Sequence, residues 1–212
     1  MKKLGLFIAA FVMIIQMHAQ SHSRGTWSFQ LGYNAGLQTV VSDIKTNNMP
    51  VNQLKNTDFT SMLAFSAHNN LLKFFSLGVG GEYGQFFMDT ATALPNKMRA
   101  LNLESRIYLL NKDHYNVYLG AGFGFSSLKI QDILTNGSTE IMNFSTPNMQ
   151  LLVGFNRYFF DVVGFHGHMI YSKKDFELKK VTLDQVEQDL TNIMHDKAMT
   201  GLSVQLGLSL NF

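Results

Sequence analysis

The last twelve residues of the chain alternate without an error. Leu202, Val204, Leu206, Leu208, Leu210 and Phe212 share one parity, and Gly201, Ser203, Gln205, Gly207, Ser209 and Asn211 share the other. An unbroken period of two predicts a long strand with one apolar and one polar face. Soluble strands average about five or six residues, whereas a strand that crosses a bilayer at a tilt near 45° needs about nine to eleven. The length points to the bilayer.

The same pattern recurs upstream. Residues 26–37 set Trp27, Phe29, Leu31, Tyr33, Ala35 and Leu37 against Thr26, Ser28, Gln30, Gly32, Asn34 and Gly36. Segments 59–68, 75–87, 99–109, 115–127, 149–160 and 163–172 repeat it, 59–68 less cleanly. With 201–212 these predict eight antiparallel strands. Their connections alternate in length. Those at 69–74, 111–114 and 161–162 are short, and those at 38–58, 88–98, 128–148 and 173–197 are long. Bacterial outer-membrane barrels have an even strand number, short periplasmic turns and long extracellular loops. The expected fold class is therefore all-β, an eight-stranded antiparallel up-and-down transmembrane β-barrel, with both termini periplasmic. Eight strands enclose a lumen that side chains fill. Aromatic residues near strand ends (Trp27, Tyr33, Phe75, Tyr83, Phe87, Tyr115, Tyr158, Tyr171 and Phe212) are the expected interfacial girdles.

Composition fits. Only 15% of the 212 residues are charged, while aromatics reach 12%. Average domains carry about 25% charge. At the start, Lys2 and Lys3 precede an apolar stretch from Leu4 to Ile15, and Met17-His18-Ala19 offers a cleavage site. This predicts a signal peptide over 1–19 and a barrel over 20–212. Removing the two lysines from 17 basic residues leaves 15 against 15 acidic ones. A neutral chain with no basic stripe gives no reason to expect nucleic acid. There is no cysteine, so disulfides, thiol catalysis, cysteine zinc sites and lipidation after the signal are all excluded.

The signal, the eight amphipathic strands and the terminal Leu208-Ser209-Leu210-Asn211-Phe212 together resemble the small outer-membrane β-barrel family of the OmpA/OmpX and porin-like type. The resemblance covers the mature chain and implies residence in the cell outer membrane, among outer-membrane lipid. It also implies that Leu208, Leu210 and Phe212 form the signal read by the barrel-assembly machinery. It implies little about activity.

Several residues on the inward parity are candidates for chemistry. Glu82, Glu104 and Arg106 make either a gate or, the favoured reading, a set of ion pairs plugging the lumen. His166 and His168, two apart on strand seven, suit a metal or a general base. Some eight-stranded barrels are lipid-modifying enzymes with a Ser/His arrangement, but they act on the outer leaflet. Here both histidines fall in the periplasmic half, and no G-x-S-x-G turn occurs. Gly120-x-Gly122-x-Gly124 lacks the context of a phosphate loop and reads as packing space. Gly25-Thr26-Trp27 resembles the G-x-W of lipocalins, which are soluble barrels with a polar outside. Finally, Leu183, Val186, Leu190, Ile193 and Met194 recur at helical spacing behind Thr182 as N-cap, which predicts a short helix within 182–196.

These readings converge on a barrel without enzymatic activity, cofactor or metal. Its lumen is filled, and its extracellular loops serve structure or an extracellular or envelope protein partner. A narrow channel or transporter for small or apolar solutes is the alternative, and a lipid hydrolase a third.

Overall fold

The computed structural model describes residues 24–46, 52–87, 96–112, 114–159, 162–190 and 193–212. The expected signal peptide, 1–19, lies outside them. Each alternating segment forms a strand: β1 (Trp27–Thr46), β2 (Asn52–Leu72), β3 (Phe75–Phe87), β4 (Asn96–Lys112), β5 (Tyr115–Ile133), β6 (Thr139–Tyr158), β7 (Val163–Leu183) and β9 (Ile193–Asn211). A two-residue strand, β8 (Val186–Glu187), pairs only with β7.

Every long strand pairs antiparallel with two neighbours, in the order β6-β5-β4-β3-β2-β1-β9-β7, and a β6–β7 pairing closes the ring. Trp27 and Phe212 exchange backbone hydrogen bonds of 2.8 Å at the seam. One circuit of the register runs from Tyr33 through Leu63, Tyr83, Arg99, Ser127, Ser145, Glu177 and Asp196 to Asp43, a climb from 33 to 43, or ten residues. That stagger tilts the strands to about 45°. Closure gives each long strand a partner on both edges, which is what hydrocarbon requires of the backbone.

Parity decides the faces as the pattern predicts. Leu31, Leu101, Phe125, Met149 and Leu208 are 61–70% exposed or close to it, whereas Gln30 is 3% and Asn34 1%. The outward apolar positions run over Trp27–Leu37, Phe59–Ala67, Phe75–Tyr83, Leu101–Leu109, Val117–Phe125, Met149–Phe155, Val163–Tyr171 and Leu202–Leu210. These stretches form the membrane-spanning band. An apolar outside around a polar inside is the reverse of a lipocalin, so the lipocalin resemblance of Gly25-Thr26-Trp27 does not extend to the barrel.

Beyond the band the structure corrects the sequence expectations. Segments 38–58, 128–148 and 173–197 are not long loops; most of each continues the flanking strands. The stretch Ser172–Leu183 of β7, at about 3.3 Å per residue and this tilt, rises about 25 Å past the band. The expected helix within 182–196 does not form among the described residues. β7 ends at Leu183, Asp184 and Gln185 turn the chain with φ of 47° and 70°, β8 returns along β7, and β9 begins at Ile193. Tyr158 is no girdle residue; it faces inward, 4% exposed, 3.1 Å from the Ser209 hydroxyl.

The largest departure concerns the interior. Alternation holds past the band, but its chemistry inverts. Outward positions become Arg99, Lys129, Lys173, Asp175 and Glu177, while Val40, Phe86, Met98, Leu128, Ile130, Phe144, Phe176 and Met199 turn inward with Met62 into one buried apolar cluster. The barrel has two storeys: an inside-out one in the membrane, and above it one built like a soluble protein.

Candidate functional site

The lumen of the membrane storey is filled by hydrogen-bonded side chains centred on Arg106. Arg106 and Glu104 leave β4 two residues apart on the inward face, and Arg106 is 1% exposed. One guanidinium nitrogen donates to Glu104 Oε2 at 3.2 Å and to Ser66 Oγ at 3.1 Å. The guanidinium plane lies 4.8 Å from the centre of the Tyr118 ring. Glu104 Oε1 receives Gln150 Nε2 at 3.1 Å, and His68 Nε2 lies 3.1 Å from Oε2, the oxygen that Arg106 also reaches. A buried charge survives only when paired and bonded in this way.

A second branch runs from Gln30, whose Nε2 donates to Asn156 Oδ1 at 2.7 Å and whose Oε1 receives Ser66 Oγ at 3.1 Å. Asn156 in turn donates to Asn116 at 2.9 Å. Beside this network lies a cavity of about 10 Å³ bordered by Glu82, Glu104, Arg106, Gln150, His168 and Gln205. That is room for about one water.

Of the sequence candidates, Glu104 and Arg106 are therefore joined directly. Glu82 sits apart, receiving Asn34 Nδ2 at 2.6 Å, and meets the pair only across the small cavity. His166 Nδ1 is 3.1 Å from the Leu208 carbonyl oxygen, so it carries the proton, and Nε2 accepts from Gln205 Nε2 at 3.0 Å. His168 meets the Tyr118 hydroxyl, and the two imidazoles stack 4.7 Å apart. Neither histidine is bonded to a serine among the described residues. Nor do three or more His, Asp or Glu side chains there converge as a metal-binding set. Leu208, Leu210 and Phe212 lie on the outward parity of β9, beside the seam with β1.

Glycines make the space. A Cβ on Gly80 would sit 2.0 Å from Glu104 Oε1, and one on Gly32 would sit 2.9 Å from His166 Nε2. Likewise Gly122 accommodates Gln150, and Gly154 accommodates Tyr118 and His168. The glycine parity was visible in the sequence. The partners His68, Tyr118, Gln30 and Gln150 were missed as members of the network, although each shares its strand's inward parity.

The outer storey adds buried charge that sequence reasoning did not single out. Lys197 donates to Ser42 Oγ at 3.1 Å and lies 5.8 Å from the Phe144 ring centre, and Lys174 and Asp58 are also buried. His195 packs edge-on to Phe144 at 5.5 Å. Burial, with Lys197 close by, holds its pKa down to about 4, so it is neutral at pH 7. Among the described residues the buried acidic and basic side chains are Asp58, Glu82, Glu104, Arg106, Lys174 and Lys197.

No protein-family model matches the chain, and no curated relative does. Solved structures do. The chain is similar to the outer membrane protein OprG from Pseudomonas aeruginosa, with a TM-score of 0.69 at 14% identity, over 91% of this chain and 98% of that one. It is also similar to the outer membrane protein AlkL, solved in DMPC lipid bilayers, with a TM-score of 0.51 at 12% identity, over 90% and 91% of the two chains. At such identities the likeness establishes a fold, that of the small outer-membrane β-barrels.

Proposed function

We propose that this chain is an integral protein of the cell outer membrane, exported by its N-terminal signal, whose barrel is closed to ions and whose outer storey presents a folded surface to partners outside. The observation that carries the reading is the double seal. Below, Arg106, Glu104 and their neighbours leave a cavity of only about 10 Å³. Above, an apolar cluster that includes Phe86, Phe144 and Phe176 lies buried inside the wall. Water does not thread a packed apolar layer of this kind, and an ion would lose its hydration shell there. The barrel works as an anchor and a platform rather than as an enzyme or pore.

Single-channel recording in planar bilayers tests this directly. The purified barrel is expected to give no reproducible conductance steps. Discrete, voltage-stable steps from the wild-type chain would end the closed-barrel reading.

One observation favours a second reading, passage of an apolar solute. The outer cluster contains Met62, Met98 and Met199, with Met142 against it. Methionine side chains adapt to a guest more readily than branched ones. Under this reading, vesicles containing the barrel take up an apolar dye faster than empty vesicles, and they do so without any ion conductance.

A further inference from the structure

Just past Leu101 of β4 and Phe125 of β5, where the membrane band ends on these strands, three cations stand side by side. Lys97 and Lys129 are direct cross-strand partners on the outward face, and Arg99 lies opposite Ser127 one outward step closer to the band. Like charges placed directly opposite one another oppose pairing. Yet no carboxylate occupies an outward position beyond the band on β3, β4, β5 or β6 among the described residues.

The other side of the rim is built differently. There Lys173 meets Asp175 at 3.3 Å, Lys179 meets Glu177, and Lys180 meets Glu187. Around the cationic trio stand neutral hydrogen-bonding groups instead: Gln85 opposite Lys97, Ser127 opposite Arg99, and Ser145 opposite Ser127. The Arg99 guanidinium carbon lies 5.3 Å from the centre of the Tyr83 ring, and a guanidinium placed on an aromatic face keeps its N–H fork for a bidentate acceptor. The depth is that of lipid headgroups, directly above a lipid-facing wall of Leu101, Leu103, Phe123 and Phe125.

We propose that Lys97, Arg99 and Lys129 form a binding site for the phosphate headgroup of a membrane lipid in the leaflet opposite the short turns, with the acyl chains lying on that wall. The inference rests on the reading of this chain as a membrane-spanning barrel. It adds a specific lipid contact to that reading. An anion bridging Lys97 and Lys129 turns an unfavourable pair into two charge-assisted hydrogen bonds, and the arginine fork supplies two more. A lipid is favoured over free phosphate because the trio adjoins the apolar band rather than the outer rim.

The test uses the full-length barrel in detergent, titrated with phosphatidic acid or with phosphatidylcholine and followed by native mass spectrometry. Phosphatidic acid is expected to be retained preferentially. At about fivefold per cation near a membrane surface, the K97Q/R99Q/K129Q variant loses about a hundredfold in that preference. The K173Q/K179Q/K180Q variant removes as many cations from the other side and is expected to keep it. Equal losses in both variants would overturn the site, as would displacement of the lipid by equimolar inorganic phosphate. Mobility on an unboiled denaturing gel monitors the barrel independently. A wild-type chain with no mobility shift sinks the membrane reading and the site together. A shifted barrel that holds both lipids alike sinks the site alone.

Discussion

At the scale of residues, the interior of the membrane storey is a matter of electrostatic necessity. Arg106 sits in a bore walled by hydrocarbon-facing strands, and Glu104 alone offers it a bonded carboxylate among the described residues. Arg106→Ala leaves the carboxylate buried and short of a partner, which costs about 3–5 kcal/mol. Removing both charges in the pair Glu104→Gln and Arg106→Met is expected to recover most of that loss. Urea unfolding of the barrel in lipid vesicles measures both, and a double variant no more stable than Arg106→Ala would show that the ion pair is not the central contact. The pair was legible in the sequence, because charge on an inward parity has few ways to be satisfied. Its completion by His68 and Gln150 was not legible, because those contacts depend on the ten-residue stagger that brings β2 and β6 level with β4. Alternation within one strand carries no information about that stagger.

At the scale of elements, the strands were legible in their lower halves and misread above. Residues 182–196 have a helical spacing of apolar positions, yet so short an amphipathic helix is marginal alone, and here it competes with a sheet. Thr139 N donates to Asp184 Oδ1 at 2.8 Å, and Asp184 N donates back to the Thr139 carbonyl at 3.0 Å, so β6 fixes where β7 turns. The two positive φ values at Asp184 and Gln185 define a two-residue hairpin turn of the type that Asn-Gly fits best. Gln188 N donates to the Val181 carbonyl at 2.9 Å across this turn, so replacing Asp184-Gln185 with Asn-Gly is expected to slow amide exchange at Gln188. Asp184→Val puts a β-branched residue at positive φ, and it is expected to release β8 while leaving the exchange of Val163–Tyr171 unchanged. Unaltered protection of the Gln188 amide in Asp184→Val would show that the turn does not hold β8.

At the scale of the molecule, the two storeys are stabilised by different physics. The lower relies on backbone pairing in lipid and the upper on apolar burial among charged exteriors. Phe176, 1% exposed in the centre of the outer cluster, makes the distinction measurable. Phe176→Ala is expected to cost the outer storey about 3–5 kcal/mol. Proteolysis of 173–200 in the membrane-embedded protein is then expected to accelerate, while the unboiled gel mobility of the barrel stays intact. If both are lost together, the storeys unfold as one unit. The sequence made the strand number, the closure order and the short turns plain. It concealed the second storey because a period of two looks the same whichever face is apolar, and Lys173, Asp175 and Glu177 look like loop.

That inversion of polarity also acts as a waterline. An alternating strand that slips along its neighbour by two residues keeps every side chain on its proper face, so alternation alone tolerates an error of that size. In this chain the same slip submerges Lys173 or Arg99 in hydrocarbon, or lifts Phe125 into water. The point at which greasy and charged faces change places thus fixes how deep each strand sits, and does so separately for each of the staves that make the wall.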